Sequence, residues 1–253
     1  MSLAGNYQQV IVPAIMDRWA KDLAKVVSLG NQVVDVACGT GVVSRYAEVE
    51  AGESGKVTGV DLNPEMLAVA QEVPSPPGVP IDWHECDAAS MPFDEGVFDV
   101  ALCQFSLMFF PDQPAALREI RRVLKPKGKL GLSVWCSGPY DQVFEGLLAN
   151  YVGEEAARSP IWSFGDVEWL RSLIEDAGFS IQSLQTDTKP TRYRSIRQSV
   201  EVVVDWSPAL QTLSDKELNQ LISEMEVELA EYVVSDELAE WPESANVVVA
   251  TAP

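Results

Sequence analysis

The chain has 253 residues, 47% of them hydrophobic and 22% charged, which excludes a disordered polymer and leaves apolar surface for a sizeable core. Its 18 basic against 38 acidic residues give a formal charge of −20, which argues against nucleic acid as a partner. No apolar run approaches the ~20 residues of a membrane helix, and the opening MSLAGNYQQV lacks the basic-then-apolar pattern of a secretory signal, so we expect a cytoplasmic protein without stable membrane insertion.

Ile15, Met16, Trp19, Leu23 and Val26 or Val27 recur at helical spacing after Pro13, a residue suited to a first helical turn, and predict a leading helix within residues 1–30. From Asn31 the pattern changes to short β-branched runs: Val33 to Ala37, Val57 to Leu62, Ile81 to Asp87, Phe98 to Phe105 and Leu130 to Trp135. Nearly all are apolar throughout, as strands covered on both faces are. A helix beginning near Pro111 and Asp112 carries Leu117, Ile120, Val123 and Leu124 on one face and stops before Pro126 and Gly128; another runs from Asp166 to Ala177 and ends at Gly178. Strand alternating with helix predicts a parallel, doubly wound α/β sheet with right-handed crossovers.

After the fifth strand the rhythm breaks. Residues 137–165, rich in small and aromatic side chains, predict a cap element. Ser180 to Asp187 reads as a strand, followed by two helices with capping boxes at Ser195–Gln198 and Ser214–Glu217 and a final strand from Val247 to Thr251. Helices inserted between two pairing strands cannot lie under the sheet, so residues 190–240 are a second cap element. The expectation is one domain, 1–253, with its core at 31–136. Cys38, Cys86, Cys103 and Cys136 lie within or just after strands, without metal-ligand spacing, and read as buried thiols in a reducing compartment.

The strongest local signal is Val33-Val34-Asp35-Val36-Ala37-Cys38-Gly39-Thr40-Gly41, a strand entering a tight glycine turn and then a helix near Val42. Glycines there let a ligand approach the backbone, and the helix N-terminus offers unpaired N–H donors. Asp61 ends the second strand 22 residues after Gly39, where an acid can take both hydroxyls of a ribose. The pair points to an adenosine-containing ligand: NAD in an oxidoreductase, or the cofactor of a methyltransferase. The dinucleotide fingerprint needs glycine or alanine at position 44, where this chain has Ser44. Asp87 and Ala88 follow the third strand, where a carboxylate and the next N–H can read an adenine edge, and this favours the methyltransferase.

VVDVACGTG, TGVDLNPEML, CDAASMPFDEGVFDVALCQFSLMFFPD and EIRRVLKPKGKL together resemble the class I S-adenosylmethionine methyltransferases, most closely the ubiquinone and menaquinone biosynthesis C-methyltransferase branch. The resemblance covers Val33 to about Trp135. It implies a Rossmann-like, mostly parallel seven-stranded sheet of order 3-2-1-4-5-7-6, the last strand antiparallel, with helical cap insertions. It further implies that Asp35 holds the methionine amino group, that Ala37, Gly39 and Gly41 line the amino-acid moiety, that Leu62 and Met66 pack on the adenine faces, and that Gln104 approaches the transferred methyl. Ala37 departs from the glycine usual at its position in the broad superfamily. Tyr7 and Trp19 are expected over the cofactor, since related enzymes lay the leading segment there; packing of an N-terminal helix is the alternative.

The sulfonium of S-adenosylmethionine already makes its methyl group electrophilic, so the protein needs chiefly to align an acceptor and exclude water, leaving S-adenosylhomocysteine as product. No metal site and no nucleophile constellation is expected. The sole histidine, His84, lies about 10 Å back from the strand end at ~3.3 Å per residue and is poorly placed for a base. Tyr140, Asp141 and Tyr193 in the cap are better placed. Arg118, Arg121, Arg122, Lys125, Lys127 and Lys129 read as a solvated helix face. Phe144, Leu147, Leu148, Trp162 and Trp206 suggest an apolar or aromatic small-molecule acceptor, core beneath the cap, or a homodimer contact. A non-catalytic S-adenosylmethionine-binding protein remains a third alternative.

Overall fold

In the computed structural model, which describes residues 2–75, 80–159 and 164–253, the β-branched runs become β1 (Gln32–Val36), β2 (Lys56–Asp61), β3 (Asp82–Glu85), β4 (Phe98–Gln104) and β5 (Leu124–Trp135). These five pair in parallel in the order β3-β2-β1-β4-β5. β8 (Leu238–Thr251) then pairs antiparallel with both β5 and β6 (Ser180–Tyr193). The expected strand order is present; the last long strand is eighth in the chain because a short β7 (Val233–Ser235) pairs with its start.

Three expectations are corrected. The leading segment is helical well before Pro13, through α1 (Leu3–Asn6), a wide π-type stretch over Tyr7–Met16 and α2 (Asp17–Leu23). Proline has no N–H to give and its ring crowds the preceding turn, and a widened turn accommodates both. β3 is not apolar throughout: it is the sheet edge, and His84 and Glu85 are exposed. β6 and β8 are far longer than the apolar runs that predicted them, and they pair from Ser180↔Thr251 to Tyr193↔Ala239. Because β5 stops at Trp135↔Ala245, the upper part of this ribbon projects beyond the carboxyl edge of the parallel strands.

Helix starts follow local chemistry. α3 (Val42–Ala51) begins at Gly41; α4 (Pro64–Glu72) is capped by the Asn63 side chain accepting from Glu65 N–H, and α5 (Gln113–Val123) by Asp112 accepting from Ala115 N–H. α3 and the leading segment cover one face of the sheet through Ala20, Leu23, Val43 and Ala47. The other face is covered by α5, whose Leu117 and Ile120 are fully buried, and by Leu170 and Ile174 of the helix Val167–Asp176.

The cap begins with α6 (Pro139–Val152) and α7 (Glu154–Ala157). α8 (Val167–Asp176), capped by Asp166, returns to the sheet beside α5. α9 (Ile196–Glu201), α10 (Pro208–Gln211) and α11 (Asp215–Glu228) complete the cap. Leu148, Ile196, Val200, Leu221 and Met225 form its core against Tyr193 and Trp241 of the ribbon, each buried aliphatic side chain contributing about 1.5–3 kcal/mol. Ser214 and Glu217 form the reciprocal capping box; Ser195 caps α9, but Gln198 accepts from Arg194 N–H instead of returning to Ser195. Among the described residues no helix is long and apolar enough to cross a membrane.

Candidate functional site

β1 delivers the chain into a turn whose backbone lies repeatedly in the left-handed region: φ is +54° at Ala37, +55° at Gly39 and +82° at Gly41. The Asp61 carboxylate clasps this turn, its Oδ2 accepting from Gly39 N–H at 2.7 Å and its Oδ1 from Asn63 N–H at 2.8 Å. Burial pushes the Asp61 carboxyl upward. α3 starts at Gly41, which has no side chain to cap it.

Asp35 is buried one residue before the carboxyl end of β1 and its Oδ2 accepts from Ser44 Oγ at 2.5 Å. Burial pushes its carboxyl up to about 7, opposed by the Ser44 hydroxyl and reinforced by the Asp61 charge. Ser44, the residue that breaks the dinucleotide fingerprint, is thus the hydrogen-bond partner of the buried acid. Arg45 is near enough for its charge to favour the Asp35 carboxylate, while its guanidinium donates to the Thr40, Ala70 and Val73 carbonyls. A Cβ on Gly39 would lie 3.6 Å from the Tyr7 ring, so Tyr7 covers the turn. Burial, with the nearby Asp61 and Asp35 charges, pushes its hydroxyl well above the usual phenol range.

The remaining expected positions separate. Met66 and Ala88 are buried, Leu62 is exposed, and Asp87 is exposed with its Oδ1 accepting from Ala89 N–H. Gln104 donates from Nε2 to the Met16 carbonyl at 3.2 Å while its Oε1 has no partner. Of the two leading-segment aromatics only Tyr7 meets the glycine turn. Trp19 is buried edge-on against Phe105 and Trp135, which stack on each other, and its contacts are those of core packing.

His84 is exposed on the edge strand with its ring against Phe93. In the basic cluster, Arg122 pairs with Glu119 and Lys125 with Asp99. Leu148 is buried in the cap core with Phe144 and Leu147 packed around it; Trp206 is partly exposed, 6.1 Å from the Tyr7 ring; Trp162 lies outside the described residues. All four cysteines are free, and among the described residues no cluster of metal-binding side chains occurs.

The sequence reading missed Trp83 and Glu243. Trp83 fills the space that two absent side chains leave, since a Cβ on Gly41 or Gly59 would come within 2.3 or 2.4 Å of its ring. A glycine inside an otherwise β-branched strand was the available signal.

A doubly wound sheet closed by an antiparallel strand, with a glycine turn clasped by a strand-end acid, defines an adenosine-cofactor enzyme of the methyltransferase class. The family described as "Methyltransferase domain" matches residues 34–132. The ubiquinone/menaquinone biosynthesis C-methyltransferase UbiE of Paraburkholderia phymatum is 34% identical over 164 residues, 59% of this chain and 67% of that protein. A demethylmenaquinone methyltransferase of Lactococcus lactis is 32% identical over 170 residues, 63% of this chain and 66% of that protein. The YcgJ protein of Bacillus subtilis shares the fold, with a TM-score of 0.61 at 18% identity over 92% of this chain and 98% of that one. The chain belongs to the class I S-adenosylmethionine-dependent methyltransferases of the UbiE-like type.

Proposed function

We propose that this methyltransferase holds S-adenosylmethionine across the carboxyl ends of β1, β2 and β4 and methylates a small, neutral, apolar or aromatic acceptor beneath the cap. The observation that carries the cofactor site is the Asp61 carboxylate clasping the glycine turn beside buried Asp35. Asp61 has lone pairs left for the ribose hydroxyls, and Asp35 is the anion for the methionine ammonium. Ala37, Gly39 and Gly41 line the amino-acid moiety, and the uncapped N-terminus of α3 favours its carboxylate. Met66 and Leu62 flank the adenine, Asp87 and Ala88 read its edge, and Tyr7 closes over the turn.

The bound cofactor supplies an electrophilic methyl group. The chain's own work is to orient the acceptor and keep water out, which the ribbon, α6 and the leading segment do by covering the sheet edge. The names of the UbiE-like relatives support a quinol-like acceptor and carbon methylation. Domain boundaries of 31–136 for the cofactor core and 137–165 and 190–240 for the cap fit this division.

Calorimetry with S-adenosylhomocysteine tests the reading: micromolar-range binding is expected, with Asp61→Ala weakening it by about 100-fold, or ~3 kcal/mol for the charge-assisted bonds lost. Equal affinity in the variant refutes the ribose assignment.

A further inference from the structure

Asp141 opens α6 and Glu243 stands on β8; they are 6% and 5% exposed, and both carboxyls flank Gly138, where an added Cβ would lie 3.4 Å from Asp141 Oδ2 and 3.6 Å from Glu243 Oε1. Asp141 Oδ2 also accepts from Gly138 N–H at 2.7 Å, and Glu243 Oε2 from Trp241 Nε1 at 3.2 Å. Two carboxyls in contact without a counter-ion cannot both ionise cheaply. The groups around them supply none. Tyr140 bonds Ser199, Tyr193 and Cys136 are neutral neighbours, and Glu145 adds negative charge. Lys189, in register opposite Glu243, is engaged by Asp22 and the Arg18 carbonyl. Burial raises both carboxyls, so the pair holds one proton between them.

Register places the pair at the mouth of the proposed site. Opposed residues share a face, and side chains alternate along a strand. Gln104, Ser133, Trp135, Ala245 and Glu243 therefore line one face in sequence across β4, β5 and β8, on the side where Gln104 bonds Met16 of the leading segment. Thr191, diagonal to Glu243 on β6, is on that face as well. Its hydroxyl is 1% exposed without a partner, and Gln104 Oε1 is equally unpaired. Unpaired buried polar atoms on one face of separate strands mark places where a polar ligand can bond.

Resting on the methyltransferase reading, we propose that Asp141 and Glu243 share one proton beside the acceptor, and that the Asp141 carboxylate takes the proton lost by a neutral aromatic hydroxyl acceptor as it is methylated. The electron pair freed at the acceptor forms the bond to the methyl carbon. The carbon–sulfur bond breaks with its pair left on sulfur, and the proton ends on Asp141. One shared negative charge, with no free cation nearby among the described residues, rejects carboxylate and phosphate acceptors and receives a phenol or enol.

The test uses the full chain loaded with S-adenosylhomocysteine and 4-nitrophenol as probe, whose visible absorbance reports its ionisation, at about pH 6. Bound nitrophenolate is expected with the wild type, falling at least about tenfold in Asp141→Asn and in Glu243→Gln at unchanged S-adenosylhomocysteine affinity and melting temperature. Either variant keeps a hydrogen-bonding group of the same shape, so a misfolded variant is recognised by its melt, and the other then decides. S-adenosylhomocysteine binding without bound nitrophenolate, or equal nitrophenolate in both folded variants, overturns the proposal. Failure of S-adenosylhomocysteine itself to bind strikes the cofactor reading instead.

Discussion

The proposed pairing of Asp35 with the methionine ammonium makes cofactor binding a proton-linked event. Its carboxyl is raised to about 7 by burial, so below neutrality the ligand-free chain holds a proton there. A methionine ammonium needs the carboxylate, and binding must expel that proton. At about one pH unit below the folded value only about a tenth of the chains are ionised, so affinity falls about tenfold, or ~1.4 kcal/mol, for each further unit of acidification. Above about pH 8 the effect is gone. Calorimetry of S-adenosylhomocysteine in two buffers of different ionisation enthalpy reads the proton directly: close to one released near pH 6 and close to none near pH 8 (both approximate). Asp35→Asn abolishes the release. The same shift has a folding counterpart: a raised carboxyl contributes stability that is full below its ordinary value of 3.8 and is lost as pH rises through about 7. Proton release that is absent near pH 6 in the wild type, or unchanged in Asp35→Asn, refutes the assignment of Asp35 to the ammonium.

Two predictions concern the turn itself. In Gly41→Ala a Cβ enters a left-handed position 2.3 Å from the Trp83 ring and 2.8 Å from Arg45 Nη1. Left-handed strain and overpacking together cost about 3 kcal/mol, read as a lower urea midpoint, and a wild-type midpoint contradicts the packing described. Ala37→Gly relieves ~1 kcal/mol of left-handed strain but frees the unfolded chain by a similar amount, so its urea stability stays within about 1 kcal/mol of wild type, whereas Ala37→Val, β-branched at φ +54°, loses 1–2 kcal/mol or more. Equal urea midpoints for the glycine and valine variants refute the left-handed assignment.

What was legible in the sequence is what depends on near neighbours. The glycine turn announces itself because only residues tolerant of positive φ fit between β1 and α3, and Asp61 follows because one crossover separates two strand ends. Glu243 was not legible, because its place depends on the length of the β6/β8 ribbon. Pro190 and Pro242 argue against continued strands, since neither can donate a ladder hydrogen bond. Here they face each other in register, at a point where the ribbon has left the sheet and β5 no longer needs their N–H groups. That coincidence of two distant prolines carries Trp241 and Glu243 onto the cap-facing side, and no local window contains it. Pro13 misled in the same way, marking a helix start where the helix widens around it.

The same electrostatics separates the two adenosine cofactors that the glycine turn admits. Asp61 alone does not discriminate, because a ribose is common to both. In the proposed site Asp35 does: a pyrophosphate laid on the turn would bring two negative charges toward a second buried acid whose only polar side-chain partner is Ser44. S-adenosylmethionine brings an ammonium and a sulfonium against a single carboxylate to the same place, a net positive charge. Both charges run in the direction that Asp35, Asp61 and a chain of net charge −20 favour. After transfer the sulfur is neutral, so the site that attracts the substrate cation holds the product by one positive charge fewer, and charge alone favours exchange of product for fresh cofactor.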